Sequence, residues 1–182
     1  MSDTSAFDEL PGELLMWVLI VSELLVFGAG LAVFLSLRIG DPEGFLAAQN
    51  ELNRTAAAVN TAVLVSSGFL AAMALWWREN SQRLRARLAL LGAALLGVVF
   101  MAIKIAEYVE KAQAGINWET HPFFTFYYML TGFHAAHVAA GILLLLLVAW
   151  RDDTRNIEAG AMFWHMVDLV WVILFPVVYL LQ

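Results

Sequence analysis

The 182 residues contain no cysteine, which excludes disulfides, iron–sulfur clusters and thiolate metal sites. Charge is scarce: Asp, Glu, Lys and Arg make up only 14% of the chain, against about a quarter in a soluble domain. Basic charge is scarcer than acidic, and the net charge of -6 offers no basic patch for nucleic acid. Phosphate-binding loops and nucleophile elbows are missing. So is the alternating pattern of a membrane β-barrel. Of the 4 prolines, Pro176 alone falls well inside an apolar run, so no pair of broken helices marks a transporter substrate site.

Apolar sequence is abundant. The chain is 62% hydrophobic, with a mean hydropathy of +0.75, as expected of an integral membrane protein. Residues 1–12 are polar and acidic, end in Pro-Gly, and read as an exposed tail. Five apolar runs follow, near 13–37, 56–77, 86–108, 123–150 and 160–181. Each suffices for a helix across a hydrocarbon core of about 30 Å, which needs about 20 residues. Lipid admits only helices or closed barrels. The expected fold is therefore all-α, a polytopic five-helix transmembrane bundle forming one domain over residues 13–182. The first run is too long, and its preceding tail too acidic, for a secretory signal.

Loop charges orient the bundle. Arg78, Arg83, Arg85, Arg87, Arg151 and Arg155 fall on the side shared with the amino terminus, and Arg38, Arg54, Lys104 and Lys111 on the other. The positive-inside rule then predicts a cytoplasmic amino terminus and an external carboxyl terminus. A short interfacial helix is expected after Asp41-Pro42. The second spanning helix is expected to begin near Asn60-Thr61. Gly28, Gly30 and Ala32, the Ser66-Ser67-Gly68 cluster, Gly92 with Gly97, and the series Gly132, Ala136, Ala140 read as helix-packing seams.

Ionisable groups inside such runs are costly in lipid and are expected to face protein. Glu23 lies in the first run. His134 and His137 lie in the fourth, and His165 and Asp168 share a face of the fifth. Glu23, about 14 Å in from Leu14, and Asp168, about 12 Å in from Gly160, are expected at similar depth. Asp168, being deeper than Glu107, is expected to matter more for bundle stability. Lys104 and Glu107, three residues apart, read as a solvated interfacial ion pair at a helix end.

Four histidines raise the question of haem or metal. From the same side, His165 lies about 8 Å deep and His137 about 20 Å, too unequal for two axial ligands. A non-haem site needs imidazoles and carboxylates at one level, and only Glu23, His165 and Asp168 approach that. No catalytic residue and no metal ligand set is assigned. Three classes stay open on these residues: a partner-binding accessory subunit, a haem-binding protein acting alone, and an intramembrane proton conductor. The first predicts a colourless chain that co-purifies with a partner. The second predicts a Soret band, and the third Glu23-dependent proton leakage.

The stretch FWHMVDLVWVILFPVVY at 163–179 resembles the last helix of subunit III of haem–copper respiratory oxidases, with its aromatic-Trp-His-x-Val-Asp-x-Val-Trp pattern. TGFHAAHVAAG at 131–141 is similar to that family's Gly-x-His-x-x-His-Val-x-x-Gly. FMAIKIAEY at 100–108 resembles its Phe-x3-Gln-x2-Glu-Tyr, with Lys104 in place of Gln. Asn60-Thr61 with Ser66-Ser67, and Ser22-Glu23 with Phe27, complete a series running in order through all five helices. The chain looks like the family's five-helix form, shorter than the seven-helix members. That form includes bacterial oxidase subunits and the nitric oxide reductase accessory subunit. The resemblance implies a non-catalytic subunit of a cytochrome c or quinol oxidase, or of a nitric oxide reductase, in the bacterial inner membrane. Its partner would be a catalytic subunit I-like chain carrying the haem and copper. This chain would hold no redox cofactor; phospholipid binding and support of proton uptake are implied. Glu23, His134, His137, His165 and Asp168 match the family's buried polar, proton-linked or lipid-associated positions, and Glu107 its outer acidic one.

Overall fold

The computed structural model describes residues 14–151 and 153–181. The tail expected over 1–12 lies outside the described residues. The elements are α1 (Leu14–Gly40), α2 (Pro42–Asn50), α3 (Arg54–Glu79), α4 (Arg83–Gln113), α5 (Pro122–Arg151) and α6 (Thr154–Phe175), closed by a π-helical turn, Pro176–Leu180. No strand occurs among the described residues. The chain is all-α, with five helices long and apolar enough to cross a membrane.

Local chemistry sets the helix ends. Asp41 caps α2, its Oδ1 accepting from the Gly44 amide at 3.1 Å, and Pro42 occupies the first turn, where its missing N–H is harmless. Asn53 caps α3 by accepting from the Ala56 amide at 3.0 Å. α3 therefore starts at Arg54, earlier than expected, because a side-chain cap and the strong helix formers Ala56, Ala57 and Ala58 extend it. α6 likewise starts six residues before Gly160, behind the Asp153 cap. The tight turn between α3 and α4 is closed by the Gln82 amide donating to Trp77 O at 2.8 Å. Ser81 takes the left-handed conformation there, φ 60°, a position usually given to glycine.

α3, α4, α5 and α6 form a closed ring in which each packs on two neighbours, while α1 leans on α5 and α6. The ring is built around Trp164. A Cβ at Gly97 would lie 2.7 Å from its indole, and one at Gly141 2.6 Å, so two glycines on facing helices make its notch. Its Nε1 donates to Ser67 Oγ at 3.0 Å, which donates to Ala93 O at 2.7 Å. Two expected seams hold only in part. Ala136 and Ala140 face outward, and α5 presents Thr131, His134, Val138 and Gly141 to the interior instead. Among the described residues Gly28 meets nothing within 4 Å, whereas a Cβ at Gly30 would lie 2.6 Å from the Leu130 side chain. Ser66 also points out, satisfied by Ala62 O at 2.7 Å.

At the other end of the bundle, Pro176 cannot donate to the preceding turn, and the chain widens into the π turn, closed by the Leu181 amide on Pro176 O at 2.8 Å. This turn buries Val178 and Tyr179. α2 is fastened to it by Gln49 Nε2, which donates to Val178 O at 3.0 Å. Lys111 Nζ donates to Glu51 O, tying α4 to the end of α2.

Candidate functional site

The polar groups within the bundle separate into distinct clusters. The largest centres on Lys104, which is 1% exposed and paired with Glu107 at 3.0 Å, itself 7% exposed. Its ammonium also donates to Tyr127 Oη at 3.1 Å and to Tyr179 Oη at 2.5 Å. These three acceptors match its three N–H donors. Tyr179 in turn donates to Glu107 Oε1 at 3.1 Å. Rings of Tyr108, Tyr127, Trp171 and Tyr179 stand 4.5 to 5.5 Å from Nζ, close enough for cation–π attraction. The expectation of a solvated pair is thus overturned. Tyr127 from α5 and Tyr179 from the π turn close over Lys104, neither of which the spacing on α4 could reveal.

The second cluster joins α1 to α5. His137 Nε2 lies 3.2 Å from Glu23 Oε2. The other ring nitrogen, Nδ1, is 2.9 Å from Phe133 O. A carbonyl can only accept, so Nδ1 carries a proton. A neutral imidazole then has only a lone pair at Nε2. A hydrogen bond across to Glu23 requires one further proton, held either as imidazolium beside carboxylate or as carboxylic acid beside imidazole. Phe27 and Phe133 flank the imidazole, with ring centroids at 5.7 and 4.6 Å.

His134, one turn away on α5, is fully buried. It stacks on Trp171 at 5.0 Å and meets Phe100 and Phe27 edge-on at 5.7 and 6.3 Å. Neither ring nitrogen finds a hydrogen-bond partner among the described residues.

The third cluster lies on the α3–α6 side. Asp168 Oδ2 is 3.9 Å from His165 Nδ1; the side chains are 12% and 46% exposed. Glu23 does not meet them: the two carboxyls, expected at similar depth, serve different faces of the bundle. The earlier start of α6 puts His165 eleven residues from Thr154, about 16 Å along the axis rather than about 8 Å. The depth mismatch with His137 therefore shrinks, and it is direction that separates the two: His137 serves α1 and α5, His165 the α3–α6 face. Among the described residues no three His, Asp or Glu side chains gather as a metal site.

Outside the spans, His121 Nε2 lies 3.0 Å from Asp41 Oδ2, and its Nδ1 accepts from the Phe123 amide at 3.1 Å. Nε2 is therefore the protonated nitrogen and donates to the carboxylate. His121 and the Gly44 amide hold the Asp41 carboxyl below the usual carboxylate range.

Fold and polar clusters together define a class: a multi-pass membrane helix bundle whose ionisable groups are paired with one another or face adjoining helices. The model of the family described as cytochrome c oxidase subunit III matches residues 13–182. The chain belongs to that family. It is 32% identical over 174 residues to cytochrome c oxidase subunit 3 of Thermostichus vulcanus, covering 90% of this chain and 84% of that protein. A probable quinol oxidase subunit 3 of Staphylococcus epidermidis is 24% identical, covering 91% and 86%. A haem–copper oxidase subunit I+III of Aeropyrum pernix matches at 27% identity, covering 91% of this chain and 22% of that longer protein.

Proposed function

We propose that the chain is the non-catalytic, subunit III-like component of a bacterial haem–copper respiratory oxidase, docked on the catalytic subunit I-like chain and supporting its assembly and proton uptake. The observation that carries this reading is the family match along residues 13–182. The Aeropyrum pernix relative is named as subunits I and III together, which supports a subunit I-like partner. Relatives named as cytochrome c and quinol oxidase subunits favour an oxidase over a nitric oxide reductase. Haem and copper belong to the partner; phospholipid and proton linkage belong to this chain.

The Glu23–His137 pair supports the proton-linked part. It lies at the α1–α5 edge, where both side chains are partly exposed. Orientation rests on charge. Lys104 and Lys111 at the α2 end are buried, and the exposed arginines gather at the opposite end, which supports a cytoplasmic amino terminus in the inner membrane.

An affinity-tagged chain purified from its own membranes tests the reading. The expected product is a red complex containing a haem-bearing chain, while the tagged chain stripped of partners is colourless. In the complex, Glu23→Gln should leave assembly intact and shorten sustained turnover, since glutamine cannot exchange a proton. A Soret band from the stripped chain, or a wild-type chain with no haem partner, would refute the proposal.

A further inference from the structure

The α3–α6 face carries a furrow that lipid serves poorly. Its walls are Val65, Phe69, Leu169 and Val172, its floor the small residues Gly68 and Ala72, and His165 and Asp168 line it. The polar pair sits near mid-span: His165 is eleven residues from the start of α6, and Gly68 eleven from the end of α3, each about 16 Å along its helix. Lipid headgroups do not reach that depth, and acyl chains offer no hydrogen bond. Yet His165 is 46% exposed there, while Asp168 Oδ1 is buried without a hydrogen-bond partner among the described residues.

The geometry prescribes what should cover it. Asp168 Oδ2 rests on the α3 backbone, 1.9 Å from where a Gly68 Cβ would be, so the carboxyl is wedged in place. It faces Nδ1 of His165 at 3.9 Å. That separation is too long for a hydrogen bond, so the half-exposed imidazole keeps its ring nitrogens for a partner. The glycine and alanine floor allows another helix to approach closely.

We infer that this furrow is the docking site for a transmembrane helix of the catalytic chain, which donates a hydrogen bond from a hydroxyl, amide or indole side chain to a ring nitrogen of His165. The inference rests on the proposed partnership and adds the face and the contact through which it is made.

The test uses the tagged chain in its native membranes. His165→Leu removes the acceptor, and His165→Gln returns one at similar reach. On a lipid-facing surface, His165→Leu would be harmless or stabilising. The docking model instead predicts that His165→Leu lowers the haem recovered per tagged chain about tenfold, the weight of stranding one buried donor, and that His165→Gln restores most of it. A photo-crosslinking residue at Phe69, which is 65% exposed, should label the haem-bearing chain; one at Leu143 on α5 serves as reference. Equal haem recovery for His165→Leu and wild type, or Phe69 products that are only lipid or a second copy of this chain, would overturn the docking site while leaving the partnership standing. A wild-type chain that retains no haem-bearing partner would overturn both.

Discussion

Lys104 shows how a single residue can reverse an expectation. On α4 it stands three residues before Glu107 and near a helix end, the usual setting of a wet ion pair worth under about 1 kcal/mol. In the fold it is sealed beneath Tyr127 and Tyr179. Breaking a buried pair strands a charge, which typically costs about 3–5 kcal/mol. Glu107→Ala should therefore destabilise the chain by about that much. Asp168→Ala, which removes a carboxyl with one oxygen already unpartnered, should cost less. This inverts the ordering that depth alone suggests. Thermal unfolding of the two variants in one detergent checks it, and Lys104→Met added to Glu107→Ala should recover much of the loss. A larger loss for Asp168→Ala would show that the tyrosine cluster carries little stability.

At the scale of elements, capping and turn chemistry place the helix ends, and neighbours fasten the short α2. Asp41 caps α2 and also accepts from His121 Nε2 at the start of α5. Because the Asp41 carboxyl titrates below the usual range, its contribution is complete above the ordinary carboxylate pKa of about 3.9 and is lost as pH falls through the lowered value. The stability difference between wild type and Asp41→Asn is expected to close in acid, as pH falls below about 3.9. Thermal unfolding across pH reads this out. A gap that persisted unchanged in acid would mean that the charge of Asp41 contributes nothing to the tie.

For the whole molecule, the four-helix ring and the peripheral α1 differ in what holds them. Trp164, Trp171 and the Lys104 cluster all lie within the ring, whereas α1 has mainly Phe27, Leu31 and Phe34 buried along its length. In detergent and without partner chains, amides of α1 should exchange at least about tenfold faster than those of α4 and α5, since local opening follows the number of buried contacts. Hydrogen exchange read by mass spectrometry measures this. Equal protection would mean that α1 opens only with the ring.

Much was legible in the chain because lipid leaves few choices. Five apolar runs in a sequence with little charge must become helices, and Asp41-Pro42 announced α2 by the chemistry of a helix start. Glu23, His134, His137, His165 and Asp168 stood out because each is expensive in hydrocarbon. Their partners were hidden. Glu23 meets His137 and Asp168 meets α3, since depth counted from helix ends says nothing about which way a face turns. Tyr127 and Tyr179 looked like ordinary apolar-run residues until the π turn after Pro176 swung one of them onto Lys104. Local composition and spacing determined which segments cross the membrane and which groups had to be satisfied. Only tertiary packing, through helix rotation and the notch for Trp164, decided which groups satisfy one another and which are left for a partner.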